Sequence, residues 1–71
     1  MNLFRLKKLH FLKFTEKNAL RLLKRNGFLS TSIIQYKFGV GYAKAAQMID
    51  VLEERGYIKR EGYRWIANVS R

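Results

Sequence analysis

The residues that could carry chemistry in this chain are donors and cations rather than catalysts. Its single histidine, His10, has no cysteine to join it, so thiolate metal sites and disulfides are excluded, and one imidazole cannot hold zinc by itself. No Ser/His/Asp set, carboxylate pair or phosphate-cradling glycine loop with its lysine can be traced, which leaves a catalytic site without material. Neither an enzyme nor a cofactor or metal is expected. Positive charge is in excess: fifteen Lys and Arg face five Asp and Glu, giving a net charge of +10 and a pI near 10.4 in 71 residues. So large an excess repels itself unless the usual partner is an anion, with nucleic acid foremost. Within one short stretch, Lys44 could donate to guanine O6 or N7, Gln47 could pair bidentately with adenine, Ala43 could meet a thymine methyl, and Tyr42 precedes them. Whether these four can reach base edges depends on the elements that carry them.

The segment from Tyr42 onward has Ala45, Met48, Ile49 and Leu52 at three- and four-residue spacing, one apolar stripe on a helix from about 41 to 55 that Gly56 ends. With that stripe turned inward, Tyr42, Ala43, Lys44 and Gln47 occupy the opposite N-terminal surface. Asp50, Glu53 and Glu54 gather in the last turns, away from an inserted start. Upstream, Gly39-Val40-Gly41 is too short for anything but a turn between helices. The helix before it, about 31–38, buries Ile33, Ile34 and Phe38, and Ser30, Thr31 and Ser32 offer oxygens to cap it. Ser32-x-x-Gln35 has the spacing of a capping box. Thr15 before Glu16 and the run Ala19, Leu20, Leu22, Leu23 predict a first helix over 15–26, closed at Asn26-Gly27. Phe28 and Leu29 can add a short extended piece.

After Gly56 the chain alternates, Tyr57-Ile58-Lys59-Arg60, then Glu61-Gly62, then Tyr63-Arg64-Trp65-Ile66-Ala67, which predicts a hairpin with Glu61-Gly62 as its loop. In that register Arg60 faces Tyr63, Lys59 faces Arg64 and Ile58 faces Trp65, and the Lys59–Arg64 opposition is destabilising unless a phosphate lies between. Trp65, Tyr36, Tyr57 and Tyr63 could stack on bases, yet a Trp opposite Ile58 closes a small core more naturally.

The fold class expected is therefore mainly α with a small β hairpin: a winged helix-turn-helix of three helices and a C-terminal two-stranded wing over 15–71, with room for an extra N-terminal element. Residues 1–14 form a basic and apolar arm whose period fits helix and strand alike. It is read as structural with some phosphate contact, an amphipathic membrane anchor being the alternative. Residues 1–26 hold eight basic and one acidic side chain, most of the excess charge. No apolar run reaches the roughly 20 residues of a membrane span, and the arm lacks a signal-peptide core and cleavage site, so a cytoplasmic, nucleoid-associated protein is expected.

Two helices joined by a short glycine turn match a motif whose second helix enters the major groove. Double-stranded DNA is thus the expected partner, with Ser30, Thr31, Ser32, Lys37, Lys59, Arg60 and Arg64 as phosphate contacts. The alternative is a protein-interaction module on the same fold, for a recombinase, a replication factor or a host protein; a homodimer is compatible with either.

The stretch STSIIQYKFGVGYAKAAQMIDVLEERGYI, residues 30–58, resembles the winged-helix gamma domain at the C-terminus of the bacterial DNA translocase FtsK, with its pattern S-T-S-x-x-Q-x-x-F-x-x-G-Y-x-x-A-A-x-x-I-D-x-L-E-x-x-G. The resemblance implies a winged helix that binds short G-rich oriented sequences and can contact the XerD recombinase. Where the family usually has Asn-Arg after Gly-Tyr and an Arg past the two alanines, this chain has Ala43-Lys44 and Gln47, so the resemblance carries the scaffold and not the sequence preference. With no motor or Walker motif and a start at Met1, a stand-alone protein is expected, a small regulator or a mobile-element accessory factor.

Overall fold

In the computed structural model, residues 12–69 are described. Of the arm expected over 1–14 only Leu12, Lys13 and Phe14 fall within that range; the rest of the arm, with His10, lies outside the described residues. The element order is α1 (Glu16–Asn26), α2 (Thr31–Phe38), α3 (Tyr42–Glu54), β1 (Ile58–Glu61) and β2 (Arg64–Ala67). This is the expected layout of three helices followed by a wing.

Each helix starts and stops for a local reason. Thr15 is extended and its Oγ1 accepts from the Asn18 amide at 3.1 Å, opening α1. The Gly27 amide donates to Leu23 O at 2.7 Å and closes it. Ser30, not Ser32, caps α2: its backbone is extended and its Oγ accepts from the Ile33 amide at 3.2 Å. The capping box expected from Ser32 and Gln35 is therefore corrected. With Thr31 as the first helical residue, the third is Ile33, and Gln35 lies too far along to reach back to the cap. At the end of α3 the Gly56 amide donates to Glu53 O and the Tyr57 amide to Leu52 O, both at 3.0 Å, the paired bonds of a Schellman stop.

Gly39 sits at φ 65° and its amide donates to Gln35 O. A side chain at that angle would strain the backbone, and this left-handed step turns the chain out of α2 so that α3 can start at once.

The hairpin register differs from the sequence expectation. Ile58 pairs with Ala67, Lys59 with Ile66, Arg60 with Trp65 and Glu61 with Arg64, and the loop is Gly62-Tyr63. Gly62 has φ 68° and no other loop residue has positive φ, so the glycine occupies the first loop position, where a type II′ turn requires it. Glu61 is thereby drawn into β1 opposite Arg64, its carboxylate 3.5 Å from the guanidinium. The like-charge opposition of Lys59 and Arg64 does not arise. Because the register moved by two residues, each side chain kept its face: Ile58 and Trp65 share one, although they are not direct partners.

A third extended piece completes the wing's base. Leu29 exchanges two backbone bonds with Trp65, of 2.8 and 2.9 Å, so the chain between α1 and α2 borders β2. The core that these elements enclose comprises Ala19, Leu22, Leu23, Leu29, Ile34, Phe38, Ala45, Met48, Ile49, Leu52 and Ile58. Every helix and the wing contribute, as one shared core in so small a chain requires. Phe14 packs edge-on against Phe38 with ring centroids 5.5 Å apart, and the Leu12 amide donates to Lys37 O at 3.1 Å. The end of the arm is thus fastened to α2.

Candidate nucleic-acid interface

Along α3 the inward stripe is as the spacing predicts: Ala45, Met48, Ile49 and Leu52 are all buried. Burying one side of a helix with period 3.6 leaves the other free. Ala43, Lys44 and Gln47 are exposed on that other side, and Tyr42 is 65% exposed at the first turn. These four lie within less than two turns of one another on one rigid element. Further along α3, Asp50, Glu53 and Glu54 are exposed as well. The outer surface of α3 therefore changes sign along its length, positive at Lys44 and negative near Glu54, a polarity that presents the start of the helix to an anion and holds the end away.

The backbone adds to this polarity. Gly41 is the N-cap of α3 and no side chain caps it. The first amides of a helix lack intrahelical acceptors and carry the positive end of its dipole. An uncapped start is thus a set of donors suited to an anion. Gly41 was not among the expected site residues, and the signal for it in the sequence is a glycine where Ser, Asp or Asn is the usual cap.

The residues expected at phosphates divide among three places. Ser30 is half-buried, with its hydroxyl oxygen accepting from Ile33, while Ser32 is exposed and Thr31 half-buried in the same turn of α2. Lys37 is exposed in the last turn of α2, beside the inter-helix turn, its ammonium 5.7 Å from the Tyr36 ring centroid. On the wing, Lys59 and Arg64 are exposed on one face of the hairpin and Arg60 lies on the other. Arg60 is engaged locally. Its Nε donates to Gly62 O at 3.1 Å and its guanidinium sits 5.3 Å from the Trp65 ring centroid, which holds the turn. That contact covers one face of Trp65, and the indole is half-buried against the core.

Arg64 has two neighbours, Glu61 and the Phe28 ring, the latter centroid 4.9 Å away. Both it and Glu61 are more than half exposed in their pair. An exposed ion pair is worth about 0.2–1 kcal/mol, so Glu61 holds Arg64 only weakly.

The fold thus combines a helix-turn-helix, an exposed third helix with a positive start, and a basic wing. The sequence profile of the FtsK gamma domain matches residues 15–64, from the cap of α1 into β2. The chain belongs to the FtsK gamma domain family. The DNA translocase FtsK of Clostridium acetobutylicum is 48% identical to this gamma domain over 40 residues, which cover 56% of the chain and 5% of that translocase. The chain thus spans only a small part of the length of the relative it matches. No solved structure matches it. The profile reaches beyond residues 30–58, where the sequence resemblance was read, to include α1 and the hairpin turn.

Proposed function

We propose that this gamma domain binds double-stranded DNA sequence-selectively, with the start of α3 in the major groove. The observation that carries the reading is the exposure of Tyr42, Ala43, Lys44 and Gln47 together at the uncapped, positive end of α3, while the stripe behind them is buried. A helix of this width fits the major groove, where each base pair has its own donor and acceptor pattern. Lys44 reads guanine, Gln47 reads adenine and Ala43 permits close approach or meets a thymine methyl. Phosphates are met by the α3 amides, by Ser32 and Lys37 beside the motif, and by Lys59 and Arg64 on the wing. Membership in the FtsK gamma family and the DNA-translocating activity named for its relative support this partner.

Selection from a random duplex library with the purified domain, repeated with Lys44→Ala, tests it. The expected result is one enriched motif for the parent chain and relaxed preference at one position for the variant. A G-rich motif would indicate that the family preference survives the residues at 43, 44 and 47, and another motif that it has changed. No enrichment, together with capture of a recombinase or another protein that is insensitive to Lys44→Ala and Gln47→Ala, would replace this reading with a protein-interaction role.

A further inference from the structure

We propose that the outer face of α1 is a second contact for the DNA phosphate backbone, separate from the α3 surface; the inference rests on the DNA-binding reading above. Lys17, Arg21, Lys24 and Arg25 are all exposed. At 3.6 residues per turn they fall within an arc of roughly 100°, opposite the buried Ala19, Leu22 and Leu23. None of the four has an ion-pair partner among the described residues. The helix's one acid, Glu16, is held instead by Arg55 across the fold at 3.4 Å. The stripe is therefore uncompensated.

Ordinary helix electrostatics explains half of it. Lys24 and Arg25 lie in the last turn, where cations complement the dipole. Lys17 lies near the start, where a cation is unfavourable, and Arg21 is set one turn from Lys17 and one turn from both Lys24 and Arg25. Like charges at these spacings destabilise a helix, which points to an anion that offsets the repulsion when bound. Three of the cations also border one groove. Arg21, Lys24 and Arg25 line a groove of about 510 Å³ with Leu12, Asn18 and Leu22. Its rim is fixed, since the Leu12 amide donates to Lys37 O at 3.1 Å and Asn18 Nδ2 donates to Lys13 O at 2.9 Å. A sugar–phosphate stretch suits such a lining, with cations for the phosphates and a small apolar floor for the deoxyribose.

The ion pair Glu16–Arg55 sets the start of α1 beside the end of α3, the end remote from Tyr42 by about 20 Å at 1.5 Å per residue. The start of α1 thus lies remote from the start of α3, and the face that begins there meets either flanking DNA of the same duplex or a second duplex. The test compares the full chain with Arg21→Gln/Lys24→Gln/Arg25→Gln on a duplex of about 12 base pairs, just over one turn, and on a several-fold longer one, each carrying the selected motif. Each lost phosphate contact removes about 0.9 from the slope of log K against log salt, so the slope on the long duplex falls by about 2–3 while the short duplex is bound as before. In a second arm, beads bearing one duplex are offered a labelled second one. Capture by the parent chain and not by the variant assigns the face to a second duplex, and a change on the long duplex without capture assigns it to flanking DNA.

Equal slopes on both duplexes and unchanged capture overturn the proposal. So does a variant that keeps its DNA binding but loses binding to phosphatidylserine vesicles or polyglutamate, which would give the face to a membrane or an acidic protein. Lys44→Ala run in parallel separates the two readings. If Lys44→Ala impairs binding and the α1 variant does not, only the α1 contact falls; if the parent chain binds no duplex, both fall. Should the triple variant fail to give a cooperative melt, Lys17→Gln/Arg21→Gln is measured in its place with the same expectations.

Discussion

Lys44 and Gln47 illustrate how little a side chain at an interface need do for its own fold. Both are exposed on α3, without partners among the described residues, so their removal leaves the core untouched, whereas a good pairing with a base edge discriminates by about 1–3 kcal/mol. Lys44→Ala and Gln47→Ala are each expected to lower the affinity for the selected duplex by roughly 5- to 150-fold at a preferred position, with an unchanged thermal melt. Fluorescence anisotropy on matched and single-base-changed duplexes, beside a circular-dichroism melt, checks both halves. Leu52 is the opposite case. It is fully buried behind the same helix, and Leu52→Ala is expected to cost about 2–5 kcal/mol. A domain of this size holds only about 4–10 kcal/mol in total, so that variant would lose a large share of its stability, seen as a markedly lowered melting temperature.

At the scale of elements, the ends of helices and the tip of the wing matter most. Gly41 has an ordinary φ of −77°, and a Cβ built there meets nothing within 4 Å. Gly41→Asp is thus expected to supply the missing cap and raise stability by a few tenths of a kcal/mol, while placing a negative charge at the helix start that a phosphate would occupy. Stability and DNA affinity are expected to move in opposite directions, the melt upward and the binding constant downward. If affinity holds, the uncapped amides are not at a phosphate. In the wing, Gly62 is fixed at φ 68°, and Gly62→Val is expected to cost about 1–2 kcal/mol. It would also loosen Arg60 from Gly62 O and Arg64 from Glu61, a change visible as lost hairpin amide protection in hydrogen exchange.

Taken whole, the molecule is a cation with its acids kept apart. Glu16 and Glu61 are paired with Arg55 and Arg64, and Asp50, Glu53 and Glu54 stand at the far end of α3. If five to seven phosphates are met, log K is expected to fall against log salt with a slope of about −5 to −6. A flat titration between low and moderate salt would reject a phosphate-dominated interface. The pair Glu16–Arg55 joins an exposed guanidinium to a half-buried carboxylate and is worth no more than about 1 kcal/mol, so Glu16→Gln should hardly move the melt. Its role in the fold is orientation, linking the first helix to the last turn of the third.

The amino-acid sequence by itself determined the three helices and the wing. Apolar periodicity and the terminating glycines are local signals, and the stripe Ala45, Met48, Ile49, Leu52 has one side that can face a core. It also determined the reading candidates, because the surface opposite a buried stripe follows from the helical period alone. Tertiary structure decided what local spacing leaves degenerate. Two loops were open to the hairpin, Glu61-Gly62 and Gly62-Tyr63, and both keep every side chain on the same face. The choice fell to the turn that needs glycine first, to the Glu61–Arg64 attraction and to Leu29 bonding the outer edge of β2. Likewise Ser30, Thr31 and Ser32 could each have supplied the cap of α2, and in the fold it is the Ser30 hydroxyl that accepts from the Ile33 amide. Long-range pairing of Glu16 with Arg55 could not be read at all, since nothing along the chain says which distant charge a carboxylate will meet.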